Sequence, residues 1–293
     1  MPEPAADTAP AKLLLFGEHT VLHGSSAYAV PLDRFGMRLT LGARPGDPTP
    51  FADWLADARR RPLVRASIDL DAWAREADRL AVSSTIPQGY GLGSSGALVA
   101  LVYRRYARGG VADLRALLGE LESFFHGSSS GLDPLVSCLA QPVRVTPDGR
   151  AEPVGRRCPA LPLPDPGGGW FLLDSTRTRS GQEAIARFRE SGRDEGWRHR
   201  VLEPLVSVVD GLVGLAAAGS TEGLTPKLAE LSRLQLEGLE FLIPDAVAER
   251  WSRWLTEGVA YVKLCGAGGG GYFLGYAPGG ADLDAGRLPM VWL

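Results

Sequence analysis

Pro87–Ala97 reads PQGYGLGSSGA. It follows a short run with strand character at 81–86 and opens a stretch, SSGALVALVYRRYA, with helical character. Glycines at 89, 91 and 93 let a backbone come close to a ligand without side-chain interference. The first turn of a helix offers unpaired N–H groups and a partial positive charge, so a Gly-rich loop feeding one is suited to an anion. Ser94 and Ser95 are good N-cap residues and could also bond phosphate oxygens or a cation. The plain alternative is a strand–helix turn with a capping serine. The GK[ST] ending of a Walker A loop is absent. Gly91, Gly93 and Gly96 spell a lone GxGxxG, but the acidic residue at the distance of a dinucleotide site, Asp113, falls in a helical stretch and disfavours that use.

Taken as a motif, the stretch resembles the second motif of the GHMP kinases, PxxxGLGSSAA, with Gly96 in place of Ala. Upstream, Ala9–Asp33 (APAKLLLFGEHTVLHGSSAYAVPLD) resembles the first motif of the mevalonate kinases. Lys12, Gly17, Glu18, His19, Val21, Gly24, Ala27 and Ala29 fall in register, and Ala11 stands where Gly is usual. A lysine entering a strand that feeds a Gly-Glu-His turn can aim its ammonium into a site, steady a carboxylate and stabilise a developing alkoxide. Lys12 is also one of only three lysines among 31 basic residues, with Lys227 and Lys263. A lysine kept where arginine is the rule suggests a need for a compact charge. The Glu18-His19 pair points to mevalonate kinases rather than to phosphomevalonate kinases, which usually carry Tyr there. Both residues are expected to bind substrate, and His23 to serve structure.

Glu122–Pro134 (ESFFHGSSSGLDP) resembles the mevalonate kinase segment E…HG.PSG(V/I)D, matching at Glu122, His126, Gly127, Ser130, Gly131 and Asp133. Ser129 replaces Pro and Pro134 replaces Asn. Two carboxylates flanking a polar turn can face one cavity from two helices. Phosphoryl transfer needs Mg2+ on the phosphates and a carboxylate near the attacking hydroxyl. The resemblance implies Ser95 and Glu122 as Mg2+ ligands and Lys12 and Asp133 as catalytic residues. Read without it, Asp133 is equally a helix N-terminal acid, Glu122 a solvated helix acid and His126 a packing or hydrogen-bonding residue.

Lys263–Tyr276 (KLCGAGGGGYFLGY) resembles the third GHMP motif, KLTGAGGGG, with Cys265 for Thr. Gly266, Ala267, Gly268 and Gly269 are expected to form a supporting loop against the phosphate loop Gly89, Gly91, Leu92, Gly93, Ser94, Ser95 and Gly96. Lys263 is expected to be a structural or site-edge cation. Leu172–Gln182 (LLDSTRTRSGQ) is more loosely similar to a mevalonate kinase strand end. Arg179 and Ser180 are expected to reach a substrate carboxylate, with Arg177 as the alternative.

Composition sets the outer limits. The chain has 293 residues, 45% hydrophobic and 22% charged, with a net charge of −3. That is the balance of a globular protein, and nothing in it argues for nucleic acid or an anionic membrane. Three scattered cysteines form no disulfide or metal spacing and fit a reducing cytoplasm. Residues 1–10 show no charged leader before an apolar core, and Leu212–Ala218 alone is too short to span a bilayer. The four prolines in 155–168 mark the best linker, giving expected domains at 1–160 and 161–293. The fold class is α+β. The resemblance implies a two-lobed GHMP kinase fold, with a ribosomal-S5-like N-terminal lobe and a ferredoxin-like C-terminal lobe.

The expected activity is ATP- and Mg2+-dependent phosphorylation of a metabolite hydroxyl by a cytoplasmic enzyme, with mevalonate as the first candidate acceptor and isoprenoid precursor synthesis as the setting. Phosphomevalonate, another polyol or a sugar is the alternative acceptor. A non-catalytic ligand sensor would have lost Lys12, Asp133 or the metal ligands, and none is lost. A homodimer is a family-based expectation; a nucleic-acid or membrane partner is not expected.

Overall fold

The computed structural model describes residues 7–42, 61–155, 161–178, 181–280 and 283–293. The chain folds into two compact units that interleave in sequence. The first takes Met1–Lys12, Pro31–Pro87 and Leu92–Gln141; the second takes Leu13–Val30, Gln88–Gly91 and Pro142–Leu293. Residue 160, where the proline-rich linker is expected, falls inside the last segment of the second unit. Strands β1 (Thr8–Phe16) and β2 (Ala27–Leu41) each contribute residues to both units. The hairpin β4 (Val143–Val145) and β5 (Ala151–Pro153) belongs to the second unit, because β4 pairs with the early part of β2, Ala27 opposite Val145. Part of the anticipated linker, 156–160, lies outside the described residues.

In the first unit the late half of β2 pairs antiparallel with β3 (Leu80–Ser84), from Met37 opposite Ser84 to Leu41 opposite Leu80. The sequence suggests two extended pieces around Pro31–Gly36, yet β2 runs unbroken for 15 residues. Two short helices, α1 (Pro62–Ser67) and α2 (Leu70–Glu76), precede β3. Three further helices form the core: α3 (Ser94–Tyr106), α4 (Leu114–His126) and α5 (Leu132–Leu139). Val99–Val102 of α3, Leu117, Leu118 and Leu121 of α4, and Leu135 and Val136 of α5 are all buried. Arg104 pins α3 in place, donating to Thr8 O at 2.6 Å and through Nε to Cys138 O at 3.1 Å. These bonds satisfy carbonyls at a strand start and a helix end.

The second unit is built on a four-stranded sheet, ordered β7 (Tyr261–Leu264), β8 (Tyr272–Ala277), β6 (Gly169–Asp174), β9 (Met290–Trp292). The edge strand β9, short and near the end of the chain, gives no period that sequence reading can use. Helices α6 (Gly181–Ser191), α7 (Glu195–Trp197), α8 (Glu203–Ala218), α9 (Leu224–Gly238) and α10 (Asp245–Glu257) complete it. Trp251 and Trp254 bury one face of α10; Trp251 Nε1 donates to Ser232 Oγ at 2.7 Å, and Trp254 meets Phe171 edge to face. A π turn, Arg198–Leu202, joins α7 to α8, so the helical run Glu195–Ala218 has 24 residues. By length and composition it is long and apolar enough to cross a membrane, which Leu212–Ala218 alone is not. Here its apolar face, Leu205, Val208, Val209, Leu212, Val213 and Ala216, is buried within the unit.

Candidate active site

Lys12 sits where β1 passes the Gly-rich loop. Its backbone N–H donates to Leu92 O at 2.9 Å, which fixes the loop beside the strand. Its side chain, 6% exposed, points to Asp133, with Nζ 2.7 Å from Oδ1. Gly93 fills the corner between them: a β-carbon there would lie 3.3 Å from Lys12 Cβ and 3.4 Å from Asp133 Oδ2. Gly93, at φ 71°, is the N-cap of α3, with no side-chain cap bond. The serines expected to cap the helix are instead inside its first turn, so the cap geometry leaves the Ser95 hydroxyl for other partners. Ser95 Oγ donates to Glu122 Oε1 at 3.0 Å and lies 3.0 Å from His126 Nε2.

Glu122 is no solvated helix acid. It is 3% exposed, and it reaches Ser95 from the last turns of α4. Burial, and then the charge of Asp133, push its carboxyl up to about 7; bonds from Ser129 and Ser95 and the charge of Lys12 act in the other direction. Asp133 lies in the first turn of α5, whose N-cap is Gly131. Within the first unit the fold thus brings together Lys12, Gly93, Ser95, Glu122 and Asp133, with Ser94 at the head of the same helix. His126 and Ser129 join them. The residue types alone give His126 no more than a packing or hydrogen-bonding role and Ser129 none; the signal is their spacing from Glu122, four and seven positions, which returns to the same helix face or the turn after it.

Gly96 decides how closely α3 and α5 approach. A β-carbon at Gly96 would lie 2.8 Å from Pro134 N and 2.9 Å from Asp133 C. An alanine there would push α5 away and move Asp133 with it.

The second unit holds the other expected residues. Glu18 and Lys263 form a buried ion pair, 3% and 2% exposed, in which Lys263 Nζ donates to Glu18 Oε1 and to Leu264 O. Lys263 is therefore a structural cation. His19 has φ 60°, a costly conformation for a residue with a side chain. Its ring stacks on Phe188 of α6 at 4.5 Å and 14°, and Nε2 lies 2.9 Å from Ala267 O. Nothing in the sequence singles out Phe188.

The run Gly266–Gly271 lies against the segment Gln88–Gly91. A β-carbon at Gly271 would be 2.9 Å from Tyr90 Cα, and one at Gly270 would be 2.9 Å from Arg177 O. Gly271 N donates to Arg177 O at 2.7 Å. A β-carbon at Gly89 would lie 3.9 Å from Thr178 Cγ2, and Gly91 has φ 83°. Gly268 packs on Leu242, and Gly269 N donates to Leu242 O at 2.7 Å. Burial, and then the charge of Asp174, raise the Tyr90 phenol above its usual value. Arg179 and Ser180 lie outside the described residues.

Two outcomes follow from this geometry. Between pH 4.5, the ordinary value for a glutamate carboxyl, and about 7 the folded chain holds a proton at Glu122 that the unfolded chain has released. Raising the pH through that window therefore destabilises the protein. In metal-free buffer, Glu122→Gln should gain stability relative to wild type from pH 5 to pH 8, by on the order of 3 kcal/mol. Urea melts at the two pH values measure it, and a pH-independent difference would contradict it. Lys263→Met leaves Glu18 buried without its cation, and should cost about 3–5 kcal/mol of unfolding free energy. A loss below ~1 kcal/mol would show that the pair is not buried as described.

The chain is similar to known proteins over most of its length. Residues 63–141 match the family described as GHMP kinases N terminal domain. A mevalonate kinase from Pyrococcus horikoshii is 29% identical, over 97% of this chain and 93% of its own length. Among solved structures, the L. major mevalonate kinase in complex with R-mevalonate superposes with a TM-score of 0.57 at 16% identity, covering 93% of this chain and 87% of that one. The Streptococcus pneumoniae phosphomevalonate kinase in complex with phosphomevalonate and AMPPNP gives 0.58 at 16%, covering 92% and 91%. The chain thus has the α+β fold of these GHMP kinase structures, carries a segment that matches their N-terminal family, and is similar to mevalonate kinases over most of its length.

Proposed function

We propose that the protein transfers the γ-phosphoryl group of ATP to the 5-hydroxyl of mevalonate. The observation that carries the chemistry is the 2.7 Å Lys12–Asp133 pair set against Gly93 at the head of α3. Asp133 accepts the hydroxyl proton as the new O–P bond forms and the bridging O–P bond of ATP breaks. The Lys12 ammonium has three N–H donors, and one of them hydrogen-bonds to Asp133 while staying on the nitrogen. The others can stabilise the attacking oxygen and the transferring group. Gly93, Ser94 and Ser95 place the N-terminal N–H groups of α3 toward the phosphates, with Gly89, Gly91, Leu92 and Gly96 shaping the loop. Gly266, Ala267, Gly268 and Gly269 support it.

Ser95 and Glu122 fit a magnesium ion. Their oxygens are 3.0 Å apart. Two oxygens side by side on magnesium, at bonds of ~2.1 Å, are about 3.0 Å apart. Among the described residues no group of three His, Cys, Asp or Glu side chains gathers to hold a metal; a magnesium ion here would take its other ligands from phosphates and waters. Bound there, it would neutralise phosphate charge.

Mevalonate is preferred as acceptor because the relatives of similar length are mevalonate kinases and because His19 stands where those enzymes carry His. We propose Glu18, His19, Arg179 and Ser180 as acceptor-binding residues. Phosphomevalonate is the second reading, favoured by an equally good superposition on a phosphomevalonate kinase. We also propose a cytoplasmic enzyme of isoprenoid precursor synthesis with no nucleic-acid or membrane partner, acting as a homodimer.

ADP release with Mg-ATP across mevalonate, 5-phosphomevalonate, homoserine and galactose tests the proposal. Turnover on mevalonate and a loss of about 10³-fold or more in folded Asp133→Ala are expected. Turnover on another acceptor alone would overturn the substrate; near-normal turnover by Asp133→Ala would overturn the mechanism.

A further inference from the structure

Ser129 stands where the family pattern has proline, and proline has no hydroxyl to give. Here Ser129 Oγ donates to Glu122 Oε2 and accepts from Gly131 N at 3.0 Å. The other carboxylate oxygen, Oε1, accepts from Ser95 Oγ at 3.0 Å. Glu122 is therefore held at both oxygens, one by the helix that binds phosphate and one by the turn that leads into α5. That turn is itself seated firmly. Arg115 Nε donates to Ser130 O at 2.8 Å, and a β-carbon on Gly131 would lie 2.2 Å from Arg115 O. The hydroxyl is thus carried on a fixed backbone and aimed at a nearly fully buried carboxylate.

We infer that Ser129 is a positioning residue of the metal site: its hydroxyl orients Glu122 so that Oε1 stays beside Ser95, and it sets the affinity of the site for its divalent cation. Without it, one oxygen of a buried carboxylate loses a charge-assisted bond, and the group is free to turn about its last torsion. A partner that orients a metal ligand typically contributes about 10–100-fold in metal affinity. The role is in holding the ligand, so the chemical step at saturating cation is little affected. This inference rests on the reading of Glu122 as a metal ligand.

The test uses the full chain with saturating ADP, titrated with Mn2+ and followed by the EPR signal of free Mn2+. Ser129→Thr and Ser129→Val have the same shape, and only the first keeps the hydroxyl. Ser129→Val should bind Mn2+ about tenfold or more weakly, with Ser129→Thr within about twofold of wild type. In turnover, Ser129→Val should need correspondingly more Mg2+ for half-maximal rate, with kcat at saturating Mg2+ within about threefold. Equal affinities for the Thr and Val variants, whether both normal or both weak, would overturn the inference. If Ser129→Val does not fold, Ser129→Ala replaces it and is judged by the same comparison with Thr. Glu122→Gln separates the two levels. If it binds Mn2+ like wild type, the ligand assignment itself fails; if it binds weakly while the Thr and Val variants match, only the role of Ser129 fails.

Discussion

The first unit depends on keeping one lysine and one aspartate, distant in sequence, at 2.7 Å. Lys12 comes from a strand and Asp133 from the first turn of α5, so neither element can place the pair alone. The register between them is set by α3, whose N-terminus passes close to both. Gly93 leaves room for the two side chains, and Gly96 lets the backbone of α5 come within the space a β-carbon would fill. Lys12 N is tied to Leu92 O, so the loop that opens α3 and the strand that carries the lysine move as one. A methyl group added at Gly93 would press on the pair itself, and one added at Gly96 would displace the helix that carries Asp133.

Two departures from the family pattern, read separately in the sequence, are one packing event in the fold. Gly96 replaces Ala and Pro134 replaces Asn, and the missing β-carbon of the first would lie 2.8 Å from the nitrogen of the second. The third departure, Ser129 for Pro, supplies a hydroxyl to a carboxylate that burial would otherwise leave short of donors. In each case the substitution is legible in the sequence, but its partner is not. The partner lies across a helix–helix contact or a turn, and periodicity carries no information about either.

Much of the rest was legible for identifiable reasons. The strands and helices around the motifs have strong periods or strong punctuation: KLLLF before a Gly-Glu-His turn, SSGALVALV after three glycines, WFLLD after a proline-rich stretch. Lys12 and Asp133 could be paired through the resemblance, whereas the residue types alone left Asp133 equally a helix N-terminal acid. Lys263 could not be assigned, because its counter-charge, Glu18, is 245 positions away. The interleaving of the two compact units is hidden from the sequence for a similar reason. Proline content marks where a chain is stiff and exposed, whereas the units follow strand pairing, and β4 pairs back onto β2. The capping serines were misplaced because Gly93 takes the cap position itself, and so leaves the Ser95 hydroxyl to face Glu122.

The central claim is that Lys12 and Asp133 act as one unit. A double-mutant cycle on kcat/KM tests it most directly, with Lys12→Met, Asp133→Asn and the double variant compared under saturating Mg-ATP with the acceptor varied. Groups that work as a unit are strongly non-additive. The account predicts that the double variant is about as slow as the slower single variant. Losses that multiply, so that the double variant is slower by the product of the two single effects, would show that the residues act independently and would contradict it.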